Sequence, residues 1–149
     1  MENRPDTSKT LSLISHIHSR AEEYLRAELK KKGLPNLSSS HGFILYNLAV
    51  NERLSMSEIA AKINRDKSTA TALVQKLSEM GFVEKSAGEK DSRVKFVRLS
   101  EKGRRFTSCT SEISSALIRR CYHGFSESDA QNLTKYLLMV AANFDETPL

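Results

Sequence analysis

The chain has 149 residues, of which 39% are hydrophobic, and carries a formal net charge of +5. This length fits one domain with appended helices, and the lean hydrophobic content suggests a core that a partner subunit completes. No apolar run approaches the roughly 20 residues that cross a bilayer, and the polar amino terminus lacks the apolar core of a secretory leader. We therefore expect a soluble, cytoplasmic protein.

The first third of the chain predicts two helices. Residues 1–7 carry no periodic pattern and are expected to be loosely held. From Thr10 to Lys32, apolar residues recur every three or four positions, which predicts a long amphipathic helix. Gly33 and Pro35 end it. A second, largely apolar helix is predicted from His41 to about Val50, and we expect it to be buried.

The next segment predicts a helix-turn-helix. Ser55, followed three residues later by Glu58, fits a capping box at a helix start. Asn64 tolerates the left-handed backbone of a tight turn, and Asp66 is suited to cap the second helix, which Gly81 ends. The buried side of that helix is predicted to consist of Ala70, Leu73, Val74 and Leu77.

Two strand candidates follow, Phe82–Lys85 and Arg93–Leu99, joined by a charged segment around a glycine. The order of helix, turn, helix and two-stranded ribbon predicts a mainly α fold with a small β-wing. In such a winged helix-turn-helix, the exposed second helix enters a DNA major groove, and the ribbon tip reaches phosphates or a minor groove.

The charge distribution agrees with a nucleic-acid partner. From Arg65 to Arg105 there are 11 Lys/Arg and 6 Asp/Glu, a balance of +5, and the other residues hold 12 of each. A basic surface releases counterions when it neutralises phosphates, which gives salt-sensitive affinity. The alternative is a solvated charged surface, which explains most charge runs, but the coincidence of the net charge with the motif favours nucleic acid.

The carboxyl-terminal part predicts two further helices. One is capped by Ser100 and runs to about His123, where Gly124 breaks it. The other begins at Ser126, which pairs with Asp129 as a cap. Apolar residues on this last helix step by four, three and four positions, a spacing that suits contact with another helix: Leu133, Leu137, Val140 and Phe144.

The amphipathic helices thus stand at the two ends of the sequence, where they would either cap the central domain or pair with a second copy. The lean core favours pairing. We therefore divide the chain into a helical dimerisation region, residues 8–34 and 101–146, and a DNA-binding winged helix, residues 35–100. A two-fold dimer places two recognition helices roughly 34 Å apart, so it reads an inverted repeat.

Exposed polar residues supply the predicted DNA contacts. Gln75 is suited to pair with adenine, Lys67 with guanine or phosphate, and Arg93 with a minor groove, whereas Asp91 is expected to orient a nearby cation. For each residue alone, an ordinary exposed role is the alternative. The predicted set is Ser55, Lys67, Ser68, Thr69, Thr71, Gln75, Lys76, Lys90, Arg93 and Lys95, with Lys85 beside the wing cluster.

Other chemistry finds little support. Cys109 and Cys121 lie roughly 18 Å apart on one predicted helix, which excludes a disulfide between them, and we expect buried thiols, with redox sensing as the alternative. His16 and His18 are two apart and face different directions, which makes a poor metal pair. With no phosphate loop, nucleophile elbow or paired Cys-x-x-Cys, we expect no enzyme, metal or cofactor.

At this point the sequence resembles the MarR family of bacterial winged-helix regulators. The stretch from Asp91 to Gly103 matches the family's wing pattern D-x-R-x-x-x-V-x-L-[TS]-x-x-G at every specified position, and Leu54–Ile63 with Asp66–Val74 matches its helix-turn-helix. The resemblance implies a dimer joined by its terminal helices, bound to palindromic operator DNA, usually as a repressor released by a small ligand or oxidant. Ala72 departs from the pattern, because many members carry Arg there.

Sensing residues of the family are not matched. Peroxide-sensing members use a cysteine in the first helix, and this chain has none there. Zinc-sensing members use two histidines near the fifth helix, where this chain has Cys109 and Ile113. A small effector is instead expected between the DNA-binding and helical regions, near His18, Tyr24, His41 and Tyr46. The competing function, a winged helix that binds protein, would require exposed apolar residues on the recognition helix.

Overall fold

The computed structural model describes residues 6–145, and within them the fold is mainly helical with one small sheet. A 3-10 turn at Thr7–Lys9 precedes the first helix. The helices are α1 Thr10–Lys31, α2 Ser39–Val50, α3 Met56–Lys62, α4 Lys67–Glu79, α5 Glu101–Cys121 and α6 Glu127–Asp145. The strands are β1 Leu54–Ser55, β2 Val83–Ala87 and β3 Lys95–Leu99. This confirms the predicted fold class, although most of the segment expected to be loose lies outside the described residues.

Helix α2 begins two residues earlier than predicted, because Ser38 rather than a later serine is its cap. The Ser38 hydroxyl accepts from the backbone N–H of His41, and the His41 ring accepts from the Ser38 N–H, which forms a capping box. The expectation that α2 is buried on most sides is only half right. Ile44 is buried, whereas Phe43 and Tyr46 are 46% and 56% exposed.

The helix-turn-helix forms as its local signals predict. Ser55 and Glu58 make the capping box of α3, Asn64 has a φ of 55°, and Asp66 accepts from the N–H of Thr69 at the start of α4. The buried side of α4 consists of three fully covered residues, Ala70, Val74 and Leu77. Leu73, predicted with them, is only partly buried against this core.

The three strands pair antiparallel in the order β1-β3-β2, with Leu54 opposite Val97 and Val83 opposite Leu99. Both wing strands are displaced from their predicted bounds. The turn between them is tight, because the N–H of Gly88 donates to the Val94 carbonyl over 2.7 Å. Residues 93 and 94 therefore belong to the turn, and β3 starts at Lys95.

The described chain divides into two compact units, one ending at Ser114 and the other beginning at Ser115. The buried apolar cluster lies in the first unit, between Leu29 and Ile113. None of the residues of α6, in the second unit, is buried. The functional division predicted from the sequence stays a prediction, and its last residue, 146, lies outside the described part.

Two further findings concern predictions about the helices. Cys109 and Cys121 both lie in α5, as expected, but both are exposed, so the prediction of buried thiols is wrong. An amphipathic helix has two sides, and periodicity alone did not place these sulfurs on the covered one. Among residues 6–145, no helix is both long and apolar enough to cross a membrane.

Candidate nucleic-acid interface

The exposed side of α4 is polar. Because Ala70, Val74 and Leu77 face the core, the 3.6-residue period turns Ser68, Thr71 and other polar positions outward. The only apolar residue among them is small. The exposed positions are Lys67, Ser68, Thr71, Ala72, Gln75, Lys76 and Glu79. This surface offers hydrogen-bonding groups rather than an apolar patch.

At the amino terminus of α4, the carboxylate of Asp66 accepts hydrogen bonds from Ser68 and Thr69, two residues that were predicted to contact DNA. It accepts from the backbone N–H of Thr69 over 2.7 Å and from the hydroxyl of Ser68 over 2.9 Å. These hydrogen bonds, the Thr69 backbone first, hold the Asp66 pKa below its ordinary value. Thr69 is also partly buried. The helix start is therefore satisfied internally, and Lys67 remains as its exposed cation.

Two other predicted contact residues have intramolecular roles. The Ser55 hydroxyl accepts from the Glu58 N–H, and Glu58 accepts in turn from the Ser55 N–H over 2.8 Å. The hydroxyl of Thr71 donates to the Lys67 carbonyl over 2.7 Å. Both oxygens keep a lone pair for a further donor. Ser55 is thus first a helix cap, and a DNA contact by it stays a prediction.

Gln75 is held between two charged side chains. Lys85 of β2 donates from Nζ to Gln75 Oε1 over 2.6 Å, and Gln75 Nε2 donates to Glu79 Oε1 over 3.2 Å. This group joins the wing to the recognition helix. The sequence placed Lys85 in the wing cluster but gave no indication that it reaches Gln75, and it did not single out Glu79.

The wing turn presents an arginine oriented by an aspartate. Asp91 accepts from the backbone N–H of Arg93 over 3.0 Å and from its guanidinium Nε over 3.2 Å. These bonds lower the Asp91 pKa, as expected for a carboxylate beside a cation. The Arg93 side chain is 90% exposed. Lys90 and Lys95 are also exposed, so the turn carries several cations to one end of the sheet.

Arg53 is a basic residue that sequence reasoning missed. Its guanidinium lies over the ring of Phe96 in β3, 4.2 Å from the ring centre, which is a cation–π contact. Arg53 directly precedes β1, and only the pairing of β1 with β3 brings it beside the wing. In the sequence, the available indication of this role was the position of a basic residue directly before a short strand.

Comparison with known proteins shows which family the chain resembles. The MarR family model matches residues 37–95. The chain is 28% identical over 132 residues to the transcriptional repressor IacR of Pseudomonas putida, covering 89% of this chain and 77% of IacR. It superimposes with a TM-score of 0.73 and 17% identity on S. aureus MepR in a MepR–DNA complex, covering 94% and 99% of the two chains. The chain is thus similar to the MarR family over its winged helix-turn-helix.

MarR-family proteins are transcription regulators, which confirms the prediction that this chain is not an enzyme. The structure explains why several positions of the family's wing pattern need the residues found there. Val97 and Leu99 are its buried strand positions. Ser100 caps α5, accepting from the Gly103 N–H over 3.0 Å and donating to the Gly81 carbonyl over 2.5 Å. A Cβ at Gly103 would collide with the Phe82 carbonyl oxygen, so only glycine fits there.

The four residues predicted to bind an effector lie in different surroundings. His41 is 6% exposed, and His18 lies 4.0 Å from Glu22, which also accepts from the backbone of Ser39 at the start of α2. Tyr46 is instead on the exposed side of α2, where it stacks on Phe43 with ring centres 6.2 Å apart. The fourth predicted residue, Tyr24, is partly buried on α1.

The electrostatics around His41 come from three elements. Burial lowers its pKa, Lys76 of α4 lowers it further, and Glu22 of α1 opposes the shift. Its Nδ1 lies 2.7 Å from the Ser38 hydroxyl, whereas its buried Nε2 has no hydrogen-bond partner in the described part of the chain. His41 is therefore held neutral near pH 7, with one polar atom unsatisfied.

Proposed function

We propose that the chain is a homodimeric, cytoplasmic transcription regulator that binds an inverted-repeat operator. Helix α4 enters the major groove, and the wing turn contacts the adjacent backbone or minor groove. One observation carries this proposal: the polar outward side of α4 is linked directly to a basic wing, through Lys85 and Gln75. The alternative, a winged helix that docks on protein, requires an apolar outward side, and the only apolar residue there is Ala72.

Charge supports DNA as the partner. The balance of +5 between Arg65 and Arg105 coincides with α4 and the wing. Phosphate contacts by these cations predict affinity that falls steeply with salt. Two structural neighbours, S. aureus MepR and E. coli MarR, were solved with DNA, and in both the likeness to this chain is one of fold.

Exposed apolar residues on the terminal helices support a dimer. On α1, Leu11 and Ile17 are 60% and 59% exposed, and on α6, Leu138 and Phe144 are 51% and 61% exposed. Each helix carries several such residues, more than a monomeric surface normally leaves in contact with water. A second copy related by a two-fold axis would cover these surfaces and set the spacing of the two recognition helices.

We further propose that the regulator is a repressor released by a small aromatic acid. The unsatisfied Nε2 of buried His41 lies near the start of α2, where Glu22 links α1 to α2. A ligand with a hydrogen-bonding group would satisfy this atom and bias the position of these helices. Among the structural neighbours, Bordetella bronchiseptica BpsR is regulated in its DNA binding by 6-hydroxynicotinic acid.

Arg93 offers a direct test of the DNA proposal. A footprint of bound genomic sites gives the operator, and fluorescence anisotropy on that duplex compares wild type with Arg93→Ala. We expect a loss of about 1–3 kcal/mol of binding free energy for this variant. The matched control is Arg98→Ala, because Arg98 is also paired with a carboxylate, Glu84 at 3.1 Å, but lies within β3 rather than in the wing turn. Equal, negligible losses for both variants would remove Arg93 from the interface.

The effector proposal has a separate test. Phenolic and hydroxynicotinic acids are titrated into the protein–duplex complex, and release is compared between wild type and His41→Gln. We expect an acid to release wild type from the duplex, and to release His41→Gln at least severalfold less effectively. If no acid changes operator affinity or melting temperature, the effector proposal is wrong, while the DNA proposal is unaffected.

A further inference from the structure

Gln75 occupies the middle of the outward side of α4, and its amide has a charged partner on each side. Lys85 Nζ lies 2.6 Å from Oε1, and Glu79 Oε1 lies 3.2 Å from Nε2. The positive φ of Gly81, 78°, turns the chain so that β2 returns beside α4. The Phe82 N–H fixes this turn by donating to the Leu77 carbonyl over 2.9 Å.

The chemistry of the two partners allows only one orientation of the amide. A lysine ammonium can only donate hydrogen bonds, and a carboxylate can only accept them. Lys85 therefore faces the amide oxygen and Glu79 the amide nitrogen. A flip of the amide would set two donors against each other and two acceptors against each other. Gln75 still keeps one N–H and one oxygen lone pair for a further partner.

The orientation of a glutamine amide decides which way round it reads an A·T pair. Adenine presents the N7 acceptor and the N6 donor side by side in the major groove, and a glutamine amide matches both. Turning the pair into T·A reverses the order of these two groups across the groove. The reversed order is matched only by the flipped amide.

We propose that Lys85 and Glu79 are positioning residues that fix the Gln75 amide so that the protein distinguishes A·T from T·A at one base pair of each half-site. This inference rests on the proposed DNA-binding function. It also gives a reason for a carboxylate on a surface that faces DNA. Glu79 repels phosphates and weakens binding, yet within residues 6–145 it is the group that accepts from the Gln75 nitrogen.

The test uses the full-length protein and a library of duplexes with a randomised 20-base-pair segment. Selection with wild type yields the preferred site, and Gln75→Ala identifies the base pair at which preference depends on Gln75. Duplexes carrying all four base pairs at that position are then titrated with Lys85→Met and Glu79→Gln. Lys85→Arg keeps a donor-only cation and serves as the rescue variant, and Lys90→Met removes a wing charge that does not contact Gln75.

Wild type is expected to prefer A·T over T·A by about 5- to 150-fold, the range of one bidentate contact. In Lys85→Met and Glu79→Gln, the preference between A·T and T·A falls toward one, while both remain preferred over G·C and C·G. Lys85→Arg retains the wild-type preference. Lys90→Met weakens all four duplexes equally.

Two results contradict the inference and are distinguishable from failure of the proposed function. If Lys85→Met weakens all four duplexes equally and keeps the A·T preference, Lys85 is only a phosphate contact. If Gln75→Ala changes no base preference, Gln75 is not a reader at all. If wild type selects no sequence and binds no duplex in dilute buffer, the proposed function itself fails.

Discussion

Helices α4 and α6 treat their apolar residues in opposite ways. Helix α4 buries Ala70, Val74 and Leu77 completely within its own chain. Helix α6 is longer and richer in apolar residues, yet none of them is buried, and Leu137 remains 43% exposed. Helix α4 is therefore covered within its own chain, whereas α6 leaves its apolar residues exposed or only partly buried. The difference is what the proposed dimer would explain, because a second copy would cover the exposed apolar residues of α6.

The largest effect is expected at α6. Leu137→Glu places a carboxylate in the surface that we propose a second copy covers, and an unpaired buried charge costs about 3–5 kcal/mol. We expect a monomer with operator affinity reduced at least about 100-fold, measured by sedimentation equilibrium and anisotropy. Asn132→Glu adds the same charge at an exposed polar position and should remain dimeric. A dimer that survives Leu137→Glu would remove this surface from the interface.

The opposite behaviour is expected at α4. Leu77→Ala opens a cavity in a fully covered site and should lower the free energy of unfolding by about 2–5 kcal/mol. The cost should not change with protein concentration, because Leu77 is covered within its own chain. Leu137→Ala is the comparison, and its effect on melting temperature should grow as the protein is diluted. Denaturant melts at several protein concentrations measure this difference. The same dependence on protein concentration in both variants would contradict the contrast between these helices.

A smaller effect separates two roles of Ser55. Its hydroxyl caps α3, so Ser55→Ala should lower stability by about 1 kcal/mol and leave the preferred operator sequence unchanged. Ser57→Ala, at the second residue of the same helix, removes a hydroxyl that is not the cap and should cost less. Chemical denaturation and duplex selection measure the two outcomes. A changed base preference in Ser55→Ala would restore Ser55 as a DNA contact.

Local signals in the sequence predicted the fold well. Caps and turns depend on neighbours a few positions away, so Ser55, Asn64 and Asp66 could be assigned from the sequence, and the structure confirms them. Burial depends on distant segments instead. For this reason the exposure of Phe43 and Cys109 was predicted wrongly.

In the candidate site too, local features could be predicted from the sequence and contacts between distant residues could not. An exposed, polar α4 follows from the spacing of its apolar residues. The contact between Lys85 and Gln75 does not, because it forms between side chains ten positions apart after β2 folds back on α4. The cation–π contact of Arg53 likewise depends on pairing between β1 and β3.

The smallest expected effect concerns pH. Burial holds the His41 pKa below its ordinary value, so the unfolded chain binds a proton here that the folded chain does not, as pH falls through about 6.5. The contribution of His41 to stability is thus present above that pH and is lost below it. His41→Gln keeps a capping residue but cannot titrate. The stability of this variant should therefore decline less than that of wild type between about pH 7.5 and pH 5.5. Thermal melts across this range test it, and identical slopes would contradict a neutral, buried His41.

We propose above all that two copies of the chain bind one duplex through α4 and the wing. Sedimentation velocity of the wild-type protein with its footprinted operator, at low and at physiological salt, tests this claim most directly. We predict one dimer per duplex, half-sites about one helical turn apart, and a complex that dissociates as salt rises. A strictly monomeric chain that leaves the duplex unbound even at low salt would contradict the account.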